Sequence, residues 1–99
     1  DKCGTEAYLN VYPGLSDLSA KWSSEKGLKG VGFDAISADP VDSASNDIHK
    51  ILLSSGLVIL ENLKDLDKAG DKTFCMAALP LSLEDQDGGP ARVMAVLEK

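Results

Sequence analysis

The segment "NDIHKILLSSGLVILENL", residues 46–63, carries the pattern that decides the fold. Ile48 and Leu52 are one helical turn apart, and the helical spacing stops at Gly56, a residue type that commonly ends helices. The run "GLVILEN" has no alternation of apolar and polar residues, which is typical of a strand covered on both faces in an α/β sheet. The segment therefore predicts a helix that begins at a cap within residues 45–47, followed by a buried strand.

The flanking segments continue this alternation of helices and strands. Leu18 and Trp22 lie at helical spacing within residues 15–26, and Ser16 before them is a suitable cap, so an amphipathic helix is expected there. A short helical turn is expected after Glu61. Further strands are predicted at residues 28–34, 73–81 and 91–98. This order of elements predicts the α/β class.

Length and composition favour one ordinary globular domain. The chain has 99 residues, 43% of them hydrophobic, so residues 1–99 are expected to form a single domain or half-domain, with residues 1–14 as an irregular N-terminal arm. A net charge of −6 argues against nucleic acid or anionic lipid as a partner, because both attract clustered Lys and Arg. No apolar run approaches the roughly 20 residues of a membrane span, so no membrane partner is expected.

The two cysteines and the glycines indicate no special chemistry. Cys3 and Cys75 form no CxxC pair, which favours reduced thiols and a cytoplasmic location, with Cys75 in the core. The glycines of "GLKGVG" enter a strand and do not open a helix, so neither a P-loop nor a dinucleotide-binding motif is predicted.

His49, the single histidine, and Glu61, at the end of the buried strand, are the candidate metal ligands. Imidazole nitrogen and carboxylate oxygen both bind zinc or manganese, and a helix start and a strand end can face one crevice. Residue chemistry alone nevertheless favours a half-exposed helix residue and a solvated strand end, since two ligands are fewer than a stable site needs. Asp34, at the end of the first strand, ranks third, and the later loop aspartates are typical turn formers and caps.

Four phrases taken together resemble a known family: "YPGLSDLSAKW", "KGVGFDAISADP", "IHKILLSSGLVILENLKDL" and "AALPLSLEDQDGGPARVMAVL". In this order they are similar to the C-terminal part of the cyclase family of metal-dependent hydrolases, which includes kynurenine formamidases and isatin hydrolases. The resemblance covers almost the whole chain. It implies part of a swivelling β/β/α domain, with a mixed sheet and packed helices.

The resemblance also implies a site and an activity. The family places a metal-binding histidine on the helix and a metal-binding glutamate after the strand, which are His49 and Glu61 here. It implies a divalent metal, zinc or manganese, that activates water for attack on an amide-type carbonyl.

The chain departs from the family pattern in two places. The HxxxHxD motif that supplies the other metal ligands is absent from these 99 residues, and Gly89 stands where the family usually has serine. We therefore expect the C-terminal portion of an amidohydrolase, inactive alone and completed by a complementary N-terminal half. The alternative is a non-catalytic binding or oligomerisation module. Either way, exposed apolar surface predicts a homodimer or a partner chain.

Overall fold

The computed structural model describes residues 4–98, which divide between Lys64 and Asp65 into two compact units. The elements of the first unit are α1 (Glu6–Asn10), α2 (Asp17–Glu25), β1 (Gly30–Gly32), α3 (Asp47–Ser54) and β2 (Val58–Leu60). Those of the second are α4 (Leu66–Ala69), β3 (Cys75–Pro80) and β4 (Ala91–Val96). β1 and β2 pair in parallel, and β3 and β4 pair antiparallel. The predicted α/β class, with both kinds of strand pairing, is confirmed.

The helix and strand predicted in residues 46–63 are α3 and β2. Gly56 has a φ of 78°, and its N–H donates to Leu53 O while the Leu57 N–H donates to Leu52 O. These two bonds form a Schellman motif, which turns the chain sharply from the helix into the strand. β2 then pairs with β1 in the register that places Ile59 opposite Val31.

The core of the first unit lies where α2, α3 and β2 meet. Ile48 and Leu52 of α3 are buried, as their spacing predicts, and Leu57 is buried at the helix-to-strand turn. The remaining members of the cluster are Ala20 and Ala38, with Leu15, Val31, Phe33, Ile51 and Ile59 packed against it. The prediction that β2 is covered on both faces is wrong for Val58, whose surface is 58% exposed.

Two predictions about the N-terminal residues need correction. Ser16 caps α2 as predicted, by accepting a hydrogen bond from Ser19 N, but Leu18 is 78% exposed and Trp22 is also exposed. The buried residues of α2 are Ala20 and Ser23, because small side chains allow α2 to approach α3 closely.

The arm at residues 1–14 is not irregular throughout, since α1 lies within it. Cys3 falls outside the described residues. That residues 1–99 form one domain or half-domain stays a prediction.

The second unit is built on a β-hairpin. β3 and β4 pair over their full lengths, from Cys75 opposite Val96 to Pro80 opposite Ala91. The Leu81 N–H donates to Pro90 O beyond the last pair, so the strands stay in register up to the connecting loop. Cys75 is a free, exposed cysteine; its predicted place in the core is therefore wrong, because its strand has only one neighbour.

Candidate metal-binding site

The structure brings His49 and Glu61 together. His49 lies in the first turn of α3, and Glu61 directly follows β2. The distance from His49 Nε2 to Glu61 Oε1 is 3.1 Å, and the two side chains are 29% and 27% exposed. Both predicted ligands are therefore adjacent and partly exposed to solvent. Their role as ligands stays a prediction.

The loop after β1 fixes the position of the Glu61 carboxylate. Ala38 N–H donates to Glu61 Oε1 over 3.1 Å, and Ala38 O accepts from Leu15 N over 2.8 Å. Gly14 lies against the same loop, where an added Cβ would come within 2.4 Å of Pro40 N. The loop can occupy this position only because residue 14 has no side chain.

Asp39 is one of the loop aspartates that the sequence offers as possible oxygen ligands and favours as turn formers or caps, and the structure places it in the site beside His49. Its surface is 2% exposed, and its two carboxylate oxygens accept hydrogen bonds from four donors. These are Ile48 N (2.9 Å), His49 N (3.2 Å), Ser43 Oγ (3.2 Å) and His49 Nδ1 (2.5 Å). Asp39 therefore caps α3 from a distance and binds the imidazole ring at the same time.

This arrangement corrects the predicted cap of α3. Asn46 occupies the N-cap position with a φ of 52° and makes no side-chain cap bond. Asp47 instead accepts from Ser45 and pairs with Lys50 on the exposed surface. The capping carboxylate comes from nine residues upstream, a separation at which no local sequence pattern indicates a helix cap.

The hydrogen bonds around Asp39 stabilise its charged form. Burial by itself raises the pKa of this carboxyl, but the bonds from the His49 ring, the Ile48 and His49 amides and Ser43 outweigh it. The pKa of Asp39 consequently lies below its ordinary value of 3.8. Asp39 is therefore an anion at neutral pH and can only accept hydrogen bonds.

The His49 ring lies between two carboxylates, and this placement calls for positive charge. Because Asp39 accepts only, the Nδ1 atom facing it must carry a proton. In the neutral ring, Nε2 then presents a lone pair to the Glu61 oxygen 3.1 Å away. Two acceptors at that distance repel each other unless a proton on Nε2 or a cation lies between them.

The donor set fits one half of a metal site. Zinc bonds of about 2.0–2.2 Å place two tetrahedral ligand atoms roughly 3.3 Å apart, close to the distance from His49 Nε2 to Glu61 Oε1. The bond from His49 Nδ1 to a carboxylate is typical of zinc-binding histidines. Within residues 4–98, however, no group of three or more His, Cys, Asp or Glu side chains could hold a metal ion. These residues therefore fit a metal as two of its ligands.

The third candidate, Asp34, lies apart from this network. It is exposed at the end of β1, and among the residues described it makes no hydrogen bond or ion pair with His49 or Glu61. The aspartate that contacts His49 is Asp39, five residues later in the loop. Within residues 4–98, no helix combines the length and apolarity that a membrane crossing requires.

Comparison with known proteins identifies the relatives of this chain. No family model matches it. It is 40% identical to a kynurenine formamidase from Bacillus cereus over 87 residues, which is 88% of the chain and 41% of that relative. Kynurenine formamidases from Bacillus mycoides (40% over 87 residues) and Bacillus cytotoxicus (35% over 89 residues) match similarly. The chain spans about two-fifths of the length of these curated relatives. The resemblance seen in the sequence is thereby confirmed: over most of its length the chain is similar to a partial region of curated kynurenine formamidases, consistent with the C-terminal part of the cyclase family.

Proposed function

We propose that this chain supplies His49 and Glu61 as two ligands of a divalent metal, zinc or manganese, in a kynurenine formamidase-like amidohydrolase. The observation that carries the proposal is the His49 Nε2–Glu61 Oε1 pair, 3.1 Å apart, with the opposite ring nitrogen bound to a buried carboxylate. A cation between the two atoms removes the repulsion that the neutral ring would otherwise meet. The names of the relatives support the hydrolytic reaction class.

The chemistry divides between the metal and the residues that hold it. When bound, a divalent metal polarises an amide-type carbonyl and lowers the pKa of water, which are the two functions that amide hydrolysis needs. His49 contributes a neutral nitrogen ligand, and Glu61 contributes negative charge that retains the cation. Ala38 N–H and Asp39 keep these two ligands in place without touching the metal.

The ligands that complete the site lie outside these 99 residues in this proposal. His49 is the single histidine, so the HxxxHxD motif of the family must come from another segment or another chain. With two protein ligands, metal affinity is expected to be weak and the 99 residues alone to be inactive.

Reconstitution tests this proposal. The chain is mixed with a segment carrying the HxxxHxD motif, dialysed against zinc, and measured for bound metal and for hydrolysis of an N-formyl amide. We expect the mixture to retain about one metal per pair and to gain activity, and His49→Ala and Glu61→Ala to abolish both. Lys50→Ala is the matched control, since Lys50 follows His49 but pairs with Asp47 on the exposed surface. A mixture that retains no more metal than its separate parts refutes the proposal.

A second copy or a complementary segment is the partner we propose, with no nucleic acid or membrane partner. Support comes from large apolar side chains that are exposed in both units, among them Trp22, Val58, Leu79 and Met94. Soluble monomers rarely leave contiguous apolar surface of more than a few hundred Å² uncovered. Sedimentation at micromolar concentration is expected to show association, and a stable monomer would contradict it. A cytoplasmic location stays a prediction.

A further inference from the structure

The Asp39 carboxylate is held more firmly than helix capping requires. A single oxygen acceptor is enough to cap the first turn of a helix, yet both oxygens of Asp39 are engaged by backbone N–H groups. Ser43 Oγ donates to the oxygen that Ile48 N–H also contacts, which leaves the second oxygen aimed at His49 Nδ1. The carboxylate is nearly fully buried, so water does not compete for this bond.

We propose that Asp39 is a positioning residue that keeps His49 in the tautomer protonated at Nδ1, so that the Nε2 lone pair is directed toward Glu61 and a cation between them. This inference deepens the proposed function and rests on it for its biological use. The physical reason is that neutral imidazole carries one N–H, and a carboxylate can only accept it. Free histidine in water prefers the opposite tautomer, in which Nε2 carries the proton and cannot bind a metal.

The rival explanation is that Asp39 stabilises the fold only through its cap on α3. In that case removal of the carboxylate would lower stability but leave the tautomer of His49 unchanged. Ser43→Ala provides a matched control, because Ser43 binds the same carboxylate and does not touch the imidazole.

Nitrogen-15 NMR of the whole chain separates the two explanations. His49 is the single histidine, so its two ring nitrogens give unambiguous signals. Spectra are recorded without metal and above the pH at which the ring loses its second proton, as judged from the same spectra. We expect Nδ1 to carry the proton in the wild type and in Ser43→Ala, and Nε2 to carry most of it in Asp39→Ala. Circular dichroism checks that each variant is folded.

The wild-type spectrum tests the proposal even if Asp39→Ala fails to fold. A wild-type ring protonated mainly at Nε2 overturns the proposal, as does a folded Asp39→Ala that keeps the proton on Nδ1. Asp39→Asn adds a near-isosteric variant that removes the charge but keeps one acceptor oxygen. A proton that moves to Nε2 in Asp39→Asn supports the proposal, and one that stays on Nδ1 in both variants contradicts it.

Zinc titration then distinguishes this inference from the proposed function. In the reconstituted mixture, loss of Asp39 is expected to weaken zinc binding by roughly 10–100-fold, the usual effect of removing a carboxylate behind a metal-binding histidine. If Asp39 fixes the tautomer but the mixture binds no zinc, the proposed function fails and the positioning role stands. If zinc binds equally well to the wild type and Asp39→Ala mixtures, the positioning role fails and the proposed function stands.

Discussion

The parallel pair β1–β2 and the hairpin β3–β4 show that the length of paired strands does not indicate where the hydrophobic core lies. None of the four strands contains a buried residue, but β1 and β2, three residues each, belong to the unit with the buried cluster, whereas β3 and β4, six residues each, belong to a unit without buried residues among those described. Every buried residue among those described lies between Ala20 and Leu57. Strand pairing therefore gives the hairpin its register, but it is helix packing that gives the first unit its core.

Leu52→Ala is expected to have the largest effect on this comparison. Leu52 is fully buried on α3, so its removal should lower the free energy of unfolding by about 2–5 kcal/mol. Leu53→Ala is the matched control, because its neighbouring side chain is 55% exposed and should cost far less. Urea unfolding of both variants measures the difference. Equal losses would mean that α3 does not pack as described.

Gly14→Ala should destabilise the first unit through a backbone clash. The added Cβ would lie 2.4 Å from Pro40 N and 2.7 Å from Asp39 C, so the loop must move or the chain must strain. We expect a loss of about 1–3 kcal/mol in the free energy of unfolding, typical of overpacking. Gly88→Ala in the second unit serves as control, since nothing lies within 4 Å of the new Cβ. A Gly14→Ala variant as stable as Gly88→Ala would show that this loop is free to shift.

Asp39 should make the stability of the first unit depend on acidic pH. Its folded-state pKa lies below the ordinary value of 3.8, so the ionised carboxylate stabilises the fold fully above that value. The stabilisation is lost as the pH falls from 3.8 through the lower folded-state pKa. At pH 7 we expect Asp39→Asn to cost about 1.5–3 kcal/mol, the range for hydrogen bonds to charged groups.

Urea midpoints of the wild type and Asp39→Asn between pH 7 and pH 2.5 measure this effect. The difference between the urea midpoints of the two proteins should be constant near neutrality and shrink below pH 3.8. Asp47→Asn is the control, because Asp47 lies in the same helix but its carboxylate is exposed and pairs with Lys50 on the surface. A gap that remains constant down to pH 2.5 would contradict the described network.

The sequence predicted the positions of the elements better than their packing. The spacing of Ile48 and Leu52 and the stop at Gly56 predicted α3, because both signals are local to the chain. Leu18 and Trp22 have the same spacing, yet they are exposed, since the core of the first unit accepts the small Ala20 from α2. Helical spacing of apolar residues predicts a helix, but it does not predict which face of that helix is buried.

The candidate site shows the same limit for polar residues. Chemistry and family resemblance together selected His49 and Glu61, which the structure places 3.1 Å apart. Asp39 was interpreted with the other loop aspartates as a turn former or cap, and its contact with His49 was not predicted, because its bonds to Ile48 and His49 span nine and ten residues. Only the tertiary arrangement separates it from Asp34 and Asp42, which belong to the same acidic stretch and are exposed.

Met94→Thr tests the hairpin side of the comparison and should have the smallest effect on stability. Met94 is exposed and lies opposite Ala77 in the register of β3 and β4, so its replacement by another strand former should change the free energy of unfolding by about 0.5 kcal/mol or less. Association is expected to respond more strongly, because a polar side chain would then face whatever covers the hairpin. Sedimentation velocity of wild type and variant, with Lys68→Ala in the exposed turn of α4 as control, measures this. Weaker association in Met94→Thr alone would locate the covered surface on the hairpin, whereas unchanged association would move it to the exposed residues of the first unit, where Val58 is the next position to replace.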